Sequence, residues 1–278
     1  MEIVKARRFN FTILEQRNAG IPIYPLLRDM DGEEVMYSIS PEHGRSYCVG
    51  QTDDGRYIVS KGNGLSYSQF RFLNTHEMGD GSWGLLLRED AIRDYRNGIV
   101  AESLGIKTNK MHCVIELDKT ITIDSSNGIQ LRPVLLQYDV ACLYRISDTP
   151  FIQRSAIKKE AIKWCNGDFS TPRHIIAAEV LIRNLSILHT EGFLHNAISV
   201  HNYTWALELL DFELSRSRDN PLSSGEEELI PLAFSREVIH TYQIINYIAS
   251  ALNEHPNYSL IDELFRQYGF DLKKYNCD

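Results

Sequence analysis

The alternation of apolar and polar positions differs between the two halves of the chain. Short apolar runs bounded by Gly, Asp and Asn turns predict strands at 21–27, 34–39, 55–61, 111–117 and 130–138. Apolar residues that recur every three or four positions predict helices at 89–103, 151–164, 172–187, 234–252 and 258–268. Segment 82–87 fits a strand or a buried link equally well. The order of these elements predicts an α+β protein in which most strands precede most helices.

One predicted helix ends at a glycine that fits a left-handed cap. Its apolar side carries Ile92, Tyr95, Ile99 and Ser103, whereas Arg93, Asp94, Arg96 and Asn97 lie elsewhere. The periodic pattern stops at Gly105, and glycine adopts the positive φ of a helix end without strain. We therefore expect this helix to end there.

Composition and charge narrow the class of protein. The chain has 278 residues, of which 43% are hydrophobic, enough for one large or two closely packed units. Its net charge of −8 argues against a nucleic-acid partner, because binding to phosphate backbones requires a basic face. No segment approaches the roughly 18 apolar residues of a membrane span, and no apolar core follows Met1. We therefore expect no membrane partner and no leader peptide.

The cysteines predict a reducing environment. They are odd in number and scattered, without a C-x-x-C pair: Cys48, Cys113, Cys142, Cys165 and Cys277. Most of them lie within apolar runs, which is typical of thiols in a protein core. We therefore predict reduced cysteines and a cytoplasmic protein.

A lysine ends the strand predicted at 55–61 and is followed closely by two glycines. The ammonium group of Lys61 can bind phosphate oxygens, while Gly62 and Gly64 would let the backbone approach a nucleotide. A lysine that ends a strand before a glycine turn is more usually part of a solvated hairpin. The local sequence therefore leaves both interpretations open.

The helix that follows offers a partner for this lysine. In a kinase lobe, a carboxylate from the next helix holds the strand lysine over the phosphates, and Asp94 is the candidate here. Alternatively, Asp94 is a surface residue paired with Arg93 or Arg96, and exposed pairs of that kind contribute under about 1 kcal/mol.

A motif in the second half resembles the protein-kinase signature H-R-D-x-x-x-x-N followed by D-F-G. His195, Asn202 and Asp211-Phe212 match its His, Asn and Asp-Phe, whereas Ala197 replaces the Asp that takes a proton from the substrate. Asn202 and Asp211 offer hard oxygen ligands suited to Mg²⁺ or Mn²⁺ beside nucleotide phosphates. We therefore expect ATP and a divalent cation as cofactors. His195 is expected to be a packed residue that braces the loop.

Segments in both halves resemble the selenoprotein-O family of pseudokinases. They are Lys61-Gly62-Asn63-Gly64, Gly79-Asp80-Gly81, Ile92-Arg93-Asp94, Leu104-Gly105-Ile106, Gly192-Phe193-Leu194-His195 and His201-Asn202. The short interval from Asn202 to Asp211 is also similar to that family. The resemblance spans 55–212 and implies a kinase-like fold in which the nucleotide is turned end for end, so that AMP is transferred to hydroxyl groups of proteins.

Three positions depart from that family's pattern. Asp94 stands where the family has Glu and is one methylene shorter, so it would meet the lysine through a shifted helix or a water molecule. His201 stands where the family has Asp, and an imidazole with an ordinary pKa of about 6.5 can serve as the base. Of the family's two phosphate-binding arginines only Arg145 has a counterpart, which is expected to neutralise phosphate charge. The other falls near Tyr138 or Asp139.

The kinase-like interpretation divides the chain where the strands end. We expect residues 1–145 to form a β-rich nucleotide lobe, in which 1–50 belong to the lobe or form an extension. Residues 146–278 are expected to form a larger helical lobe that carries the metal and catalytic residues. The basic side of helix 151–164 fits a solvated surface, or contact with nucleotide phosphates or an acidic partner. The polar stretch 215–228 fits a lid as well as an ordinary surface loop.

Three functions remain open at this point. AMP transfer to Ser, Thr or Tyr of a protein is preferred because the resemblance implies it. Phosphoryl transfer to a protein or small-molecule acceptor is the alternative, since one sequence does not show which way round ATP lies. Ala197, Asp94 and His201 also fit an inert, nucleotide-binding pseudokinase scaffold.

Overall fold

The computed structural model describes residues 2–17, 19–39, 45–64, 84–124, 129–167, 169–216 and 230–275. These residues form an α+β protein with ten strands and five α-helices. They divide into two compact units. The first comprises Met1–Arg96 and Asn109–Tyr144, and the second comprises Asn97–Thr108 and Arg145–Asp278.

The first unit is built on an eight-stranded antiparallel sheet with the order β2-β7-β10-β6-β5-β4-β1-β3. Its strands are β1 (Glu2–Arg8), β2 (Phe11–Gln16), β3 (Leu26–Arg28), β4 (Glu34–Ser38), β5 (Ser46–Gln51), β6 (Tyr57–Lys61), β7 (Lys110–Leu117) and β10 (Val134–Val140). Two further strands, β8 (Ile121–Asp124) and β9 (Ile129–Leu131), pair separately.

Burial along the strands follows their position in the sheet. Every residue of the inner strand β10 is buried, as expected for a strand covered on both faces. Toward the other end of the sheet, β1 alternates, with Val4 and Ala6 buried and Lys5 and Arg7 exposed. The central strands β10 and β6 therefore lie in the best-covered part of the unit, and β6 ends at Lys61.

The sheet differs from the prediction in four respects. Strands β1, β2 and β5 were not predicted, and the strand expected at 21–27 is confined to Leu26–Arg28. The strand expected at 130–138 is interrupted at Pro133, which has no N–H to donate to a ladder. In segment 82–87, Leu86 forms a single bridge with Val134 rather than part of a strand.

The helices lie close to where the periodicity predicts them, but Ser103, on the predicted packed side of the first helix, is exposed, and Asn97 is buried. They are α1 (Arg88–Ser103), α2 (Arg154–Lys163), α3 (Arg173–Thr190), α4 (Ile230–Leu252) and α5 (Tyr258–Gln267), with 3₁₀ turns at Ile146–Phe151, Val200–Asn202 and Leu272–Tyr275. Helix α1 ends as predicted, with Gly105 at a φ of +80°. Helix α2 begins later than predicted, because 3₁₀ structure takes up the residues through Phe151.

The second unit packs its helices around a largely apolar core. Buried positions recur along α3 every three or four residues, and α3 packs on α4. Trp164, at the end of α2, stacks on Trp205 with ring centroids 5.8 Å apart. The basic side of α2, including Lys158 and Lys159, is exposed.

Four of the cysteines are buried free thiols, as predicted: Cys48, Cys113, Cys142 and Cys165. Several parts of the chain lie outside the described residues: Cys277, the Gly79-Asp80-Gly81 segment, residues 125–128, and most of segment 215–228. No helix in the described ranges is long and apolar enough to cross a membrane.

Candidate functional site

A buried ion pair joins the end of β6 to helix α1 in the first unit. Lys61 Nζ donates to Asp94 Oδ2 at 2.8 Å, and the two side chains are only 2% and 3% exposed. Strand β6 lies between β5 and β10, which explains why its last side chain is enclosed. The expected contact is therefore present, and it is direct although Asp is one methylene shorter than Glu.

The same contact corrects two interpretations of Asp94. The helical pattern placed Asp94 away from the packed side, but it is buried beside Ala91 and Tyr95. A surface pairing with its neighbours is also wrong, because the Asp94 side chain is only 3% exposed, whereas Arg93 bonds to Asp90 at 3.1 Å and Arg96 bonds to Glu15. The error arose because a hydrophobicity pattern counts a carboxylate as a surface residue, whereas Lys61 compensates its charge in the interior.

The residues after Lys61 are held by close packing and hydrogen bonds. Gly62 has a φ of +102°, and a Cβ there would come within 2.5 Å of the Val134 carbonyl oxygen. Asn63 is fully buried, and its side-chain amide donates to the Leu26 carbonyl at 2.6 Å. Gly64 has a φ of +91°, and its carbonyl accepts from the Tyr47 hydroxyl at 2.6 Å. Gly62 is thus required by close packing, while the phosphate role of both glycines stays a prediction.

In the second unit, the loop from His195 to Asn202 is held by internal hydrogen bonds. His195 is fully buried; its Nε2 donates to the Leu210 carbonyl at 2.9 Å, and its Nδ1 accepts from the Ala197 amide at 3.2 Å. It is the structural residue that was predicted. Asn202 is 8% exposed, and its Nδ2 donates to the Ala197 carbonyl at 2.9 Å. The amide orientation leaves Asn202 Oδ1 as the group available for a cation or donor.

Two carboxylates follow on the next segment. Asp211 has a φ of +67°, which is uncommon for a residue other than glycine and is often found at functional sites. Carboxylate oxygens of Asp211 and Glu213 lie within 4.8 Å of each other, close enough to share one cation. Phe212 is fully buried against His195, with ring centroids 5.0 Å apart. Asn97 donates to the Phe212 carbonyl at 3.4 Å and so fixes the backbone between the carboxylates.

The remaining candidates, Arg145 and His201, contact each other through the backbone. Arg145 Nη1 donates to the His201 carbonyl at 2.8 Å and lies 3.5 Å from Asn202 Oδ1. The His201 amide donates to Ser199 Oγ at 3.3 Å, and the residue is exposed to solvent. The structure thus brings Arg145, His201 and Asn202 together. The expected phosphate contact of Arg145 and the base role of His201 stay predictions.

Helix α4 supports this loop with polar residues that the sequence reasoning missed. Glu237 is 1% exposed and accepts from the Asn196 amide at 2.6 Å and from His189 Nε2 at 2.9 Å. His240 Nδ1 donates to the Ile198 carbonyl at 2.9 Å. The signal available in the sequence was a charged residue within an otherwise apolar helix, but the partners lie about forty residues away in the chain.

A second buried carboxylate lies in the first unit, where the resemblance implied a phosphate-binding arginine. Asp139 Oδ2 lies 2.9 Å from His112 Nε2, and Asp139 Oδ1 accepts from Arg56. Burial by itself would raise the pKa of Asp139, but the hydrogen bonds from His112 and Arg56 together lower it below its ordinary value. Asp139 is therefore an anion whose contacts are with Arg56 and His112 of the protein itself.

Sequence comparisons add no family assignment. The chain matches no protein-family model, and it matches no curated protein.

Proposed function

We propose that this protein is an ATP- and Mg²⁺-dependent transferase with a bilobal, kinase-like fold. We propose further that it transfers AMP to hydroxyl side chains of a protein. Support comes from the sequence motifs around Lys61, Asn202 and Asp211 and from the contacts that these residues make within their own units.

The observation that carries the proposal is the buried pair of Lys61 and Asp94. Removing two charges from water is expensive, and an apolar pair of similar size is often neutral or stabilising in the same place. A charged pair at the end of an inner strand is therefore poorly explained by stability alone. It is well explained if the lysine binds phosphate oxygens and the carboxylate keeps it oriented.

The oxygen ligands of the second unit fit a hard divalent cation. Asp211 and Glu213 offer carboxylate oxygens within 4.8 Å of each other, and Asn202 Oδ1 is the proposed neutral ligand. When bound, Mg²⁺ neutralises phosphate charge and orients the nucleotide. The exposed imidazole of His201 is the proposed base. It would accept the proton of the acceptor hydroxyl as the hydroxyl oxygen bonds to the α-phosphorus of ATP, and pyrophosphate would leave.

A second candidate is a protein that binds nucleotide without transferring any group. It is favoured by Ala197, which occupies the place of the kinase Asp and contributes only its backbone to the loop, through hydrogen bonds with Asn202 and His195. No other carboxylate within the described part of that loop replaces it. On this alternative, nucleotide and metal bind through the same residues.

The deciding experiment is intact-mass analysis after incubation with ATP and Mg²⁺ or Mn²⁺, with and without a lysate fraction as a source of acceptors. Addition of one adenylyl group, absent in Asp211→Asn, supports AMP transfer. Addition of one phosphoryl group would make the protein a kinase instead. Nucleotide-dependent thermal stabilisation without any covalent product would favour the second candidate. If neither binding nor transfer occurs, the proposal is wrong.

A further inference from the structure

Arg145 binds the loop that carries the proposed metal ligand Asn202. Its Nη1 donates to the His201 carbonyl at 2.8 Å and lies 3.5 Å from Asn202 Oδ1. On the other side of the loop, Asn202 Nδ2 donates to the Ala197 carbonyl at 2.9 Å. The carboxamide of Asn202 is thereby held between a guanidinium and a backbone carbonyl.

The backbone of Arg145 is anchored to the segment that follows the same loop. Arg145 forms an antiparallel bridge with Thr204, and the Ile146 amide donates to the Tyr203 carbonyl at 2.8 Å. The Arg145 amide donates to Asp148 Oδ2 at 2.6 Å, and Asp148 is fully buried. Arg145 is thus fixed at its backbone, which limits where its side chain can reach.

The guanidinium is poorly placed to bind a phosphate. Arginine usually binds an oxyanion with two parallel N–H groups, through either its Nε/Nη2 edge or its Nη1/Nη2 edge. In Arg145, Nη1 already donates to the protein and Nε is enclosed away from solvent. Neither two-nitrogen edge is therefore free for such a contact.

We infer that Arg145 is a positioning residue for Asn202 rather than a phosphate ligand. Its bond to the His201 carbonyl holds the 3₁₀ turn Val200–Asn202 in place. Asn202 Oδ1 therefore keeps a single orientation before any ligand binds. Preorganised outer-shell contacts of this kind raise the affinity of a metal site. The metal part of this inference rests on the proposed function, whereas the loop contact does not depend on it.

The test compares Arg145→Gln and Arg145→Lys with the wild-type chain, and Arg183→Gln serves as a control at an exposed arginine of the same unit. Hydrogen exchange of residues 197–204 is measured without nucleotide or metal. We expect Arg145→Gln to accelerate exchange by about fivefold or more, as the loss of one net hydrogen bond predicts. Arg145→Lys should restore part of the protection, because an ammonium can still donate to the His201 carbonyl. Unchanged exchange in Arg145→Gln would overturn the inference.

Two binding measurements then separate positioning from phosphate binding. Arg145→Gln should weaken Mn²⁺ binding by about 10- to 100-fold, as other outer-shell changes do. Its affinity for ATP in the presence of EDTA should remain that of the wild type. The opposite pattern, with weaker metal-free ATP binding and unchanged Mn²⁺ binding, would make Arg145 a phosphate ligand. If the wild type binds neither, the proposed function fails, and the exchange data alone decide whether Arg145 holds the loop.

Discussion

Lys61 and Asp94 form a direct ion pair of 2.8 Å between the last residue of β6 and the second turn of α1. Both side chains are almost completely buried, at 2% and 3% exposure. The pair is costly to break, because removal of either partner leaves an uncompensated charge in the interior. It therefore links a proposed nucleotide contact to the stability of the first unit.

Removing one charge of this pair should destabilise the protein more than replacing both charged residues with apolar ones. We expect Lys61→Met or Asp94→Leu to lower the free energy of unfolding by about 3–5 kcal/mol, and the double variant to be much closer to the wild type. Urea unfolding measures all four proteins. Arg96→Met is the matched control, since Arg96 is 68% exposed and its pair with Glu15 should contribute under about 1 kcal/mol. A double variant as unstable as the sum of the singles would contradict this account.

Metal binding should depend on Asp211 more than on Glu213. We expect Asp211→Asn to weaken Mn²⁺ binding by roughly tenfold or more, because outer-shell changes alone reach that size. Glu213→Gln should cost less, because Asp211 matches the metal-binding Asp of the kinase motif, whereas Glu213 stands where that motif has a glycine. Calorimetric Mn²⁺ titration measures both, and Asp53→Asn removes an exposed carboxylate as the control. Equal affinity in Asp211→Asn and the control would exclude Asp211 as a ligand.

Glu237 should hold the loop at Asn196. In Glu237→Ala the amide of Asn196 and the ring of His189 lose their acceptor, and we expect a loss of about 1–3 kcal/mol in unfolding free energy. Glu237→Gln keeps an oxygen for the Asn196 amide and should lose less. Urea unfolding combined with hydrogen exchange at Asn196 tests this. Glu179→Ala, at an exposed position of α3, should be neutral. Unaltered exchange at Asn196 in Glu237→Ala would refute the contact.

The stability of the first unit should fall in acid because of Asp139. Its folded pKa lies below the ordinary value of 3.8, since hydrogen bonds from His112 and Arg56 outweigh the effect of burial. The stabilisation that the Asp139 carboxylate contributes is therefore complete above the ordinary pKa of 3.8, and it is lost as pH falls through the lower folded pKa. We expect the stability difference between the wild type and Asp139→Asn to be largest near neutral pH and to shrink below about pH 4. Chemical unfolding between neutral and acidic pH measures it; a difference independent of pH would show that the charge is unimportant.

Local sequence signals predicted the helices better than they predicted the strands and the way the strands pair. The helices emerged because apolar residues at α3 and α4 repeat with the helical period, and Gly105 marks a helix end through its positive φ. Strand β5 was missed because short strands carry weak patterns, and their existence depends on neighbours such as β4 and β6. Pro133 was the available signal that would have split the strand expected at 130–138.

Motif spacing identified the candidate residues, but it did not predict their burial or their hydrogen-bond partners. Motif positions alone identify three candidate phosphate and metal ligands, which are Lys61, Asn202 and Asp211. The burial of Asp94 was not predictable from its neighbours, because it depends on Lys61, which lies 33 residues away in the chain.

Local patterns in the sequence predict the α+β class, the helices, and the order of the candidate phosphate and metal ligands, because these depend on neighbouring residues. Three features emerge only in the folded chain: Asp94 is interior, Gly62 packs on the Val134 carbonyl, and Arg145 binds the His201 carbonyl. The physical reason is that burial and hydrogen bonding are set by residues distant in sequence, which a local pattern does not contain.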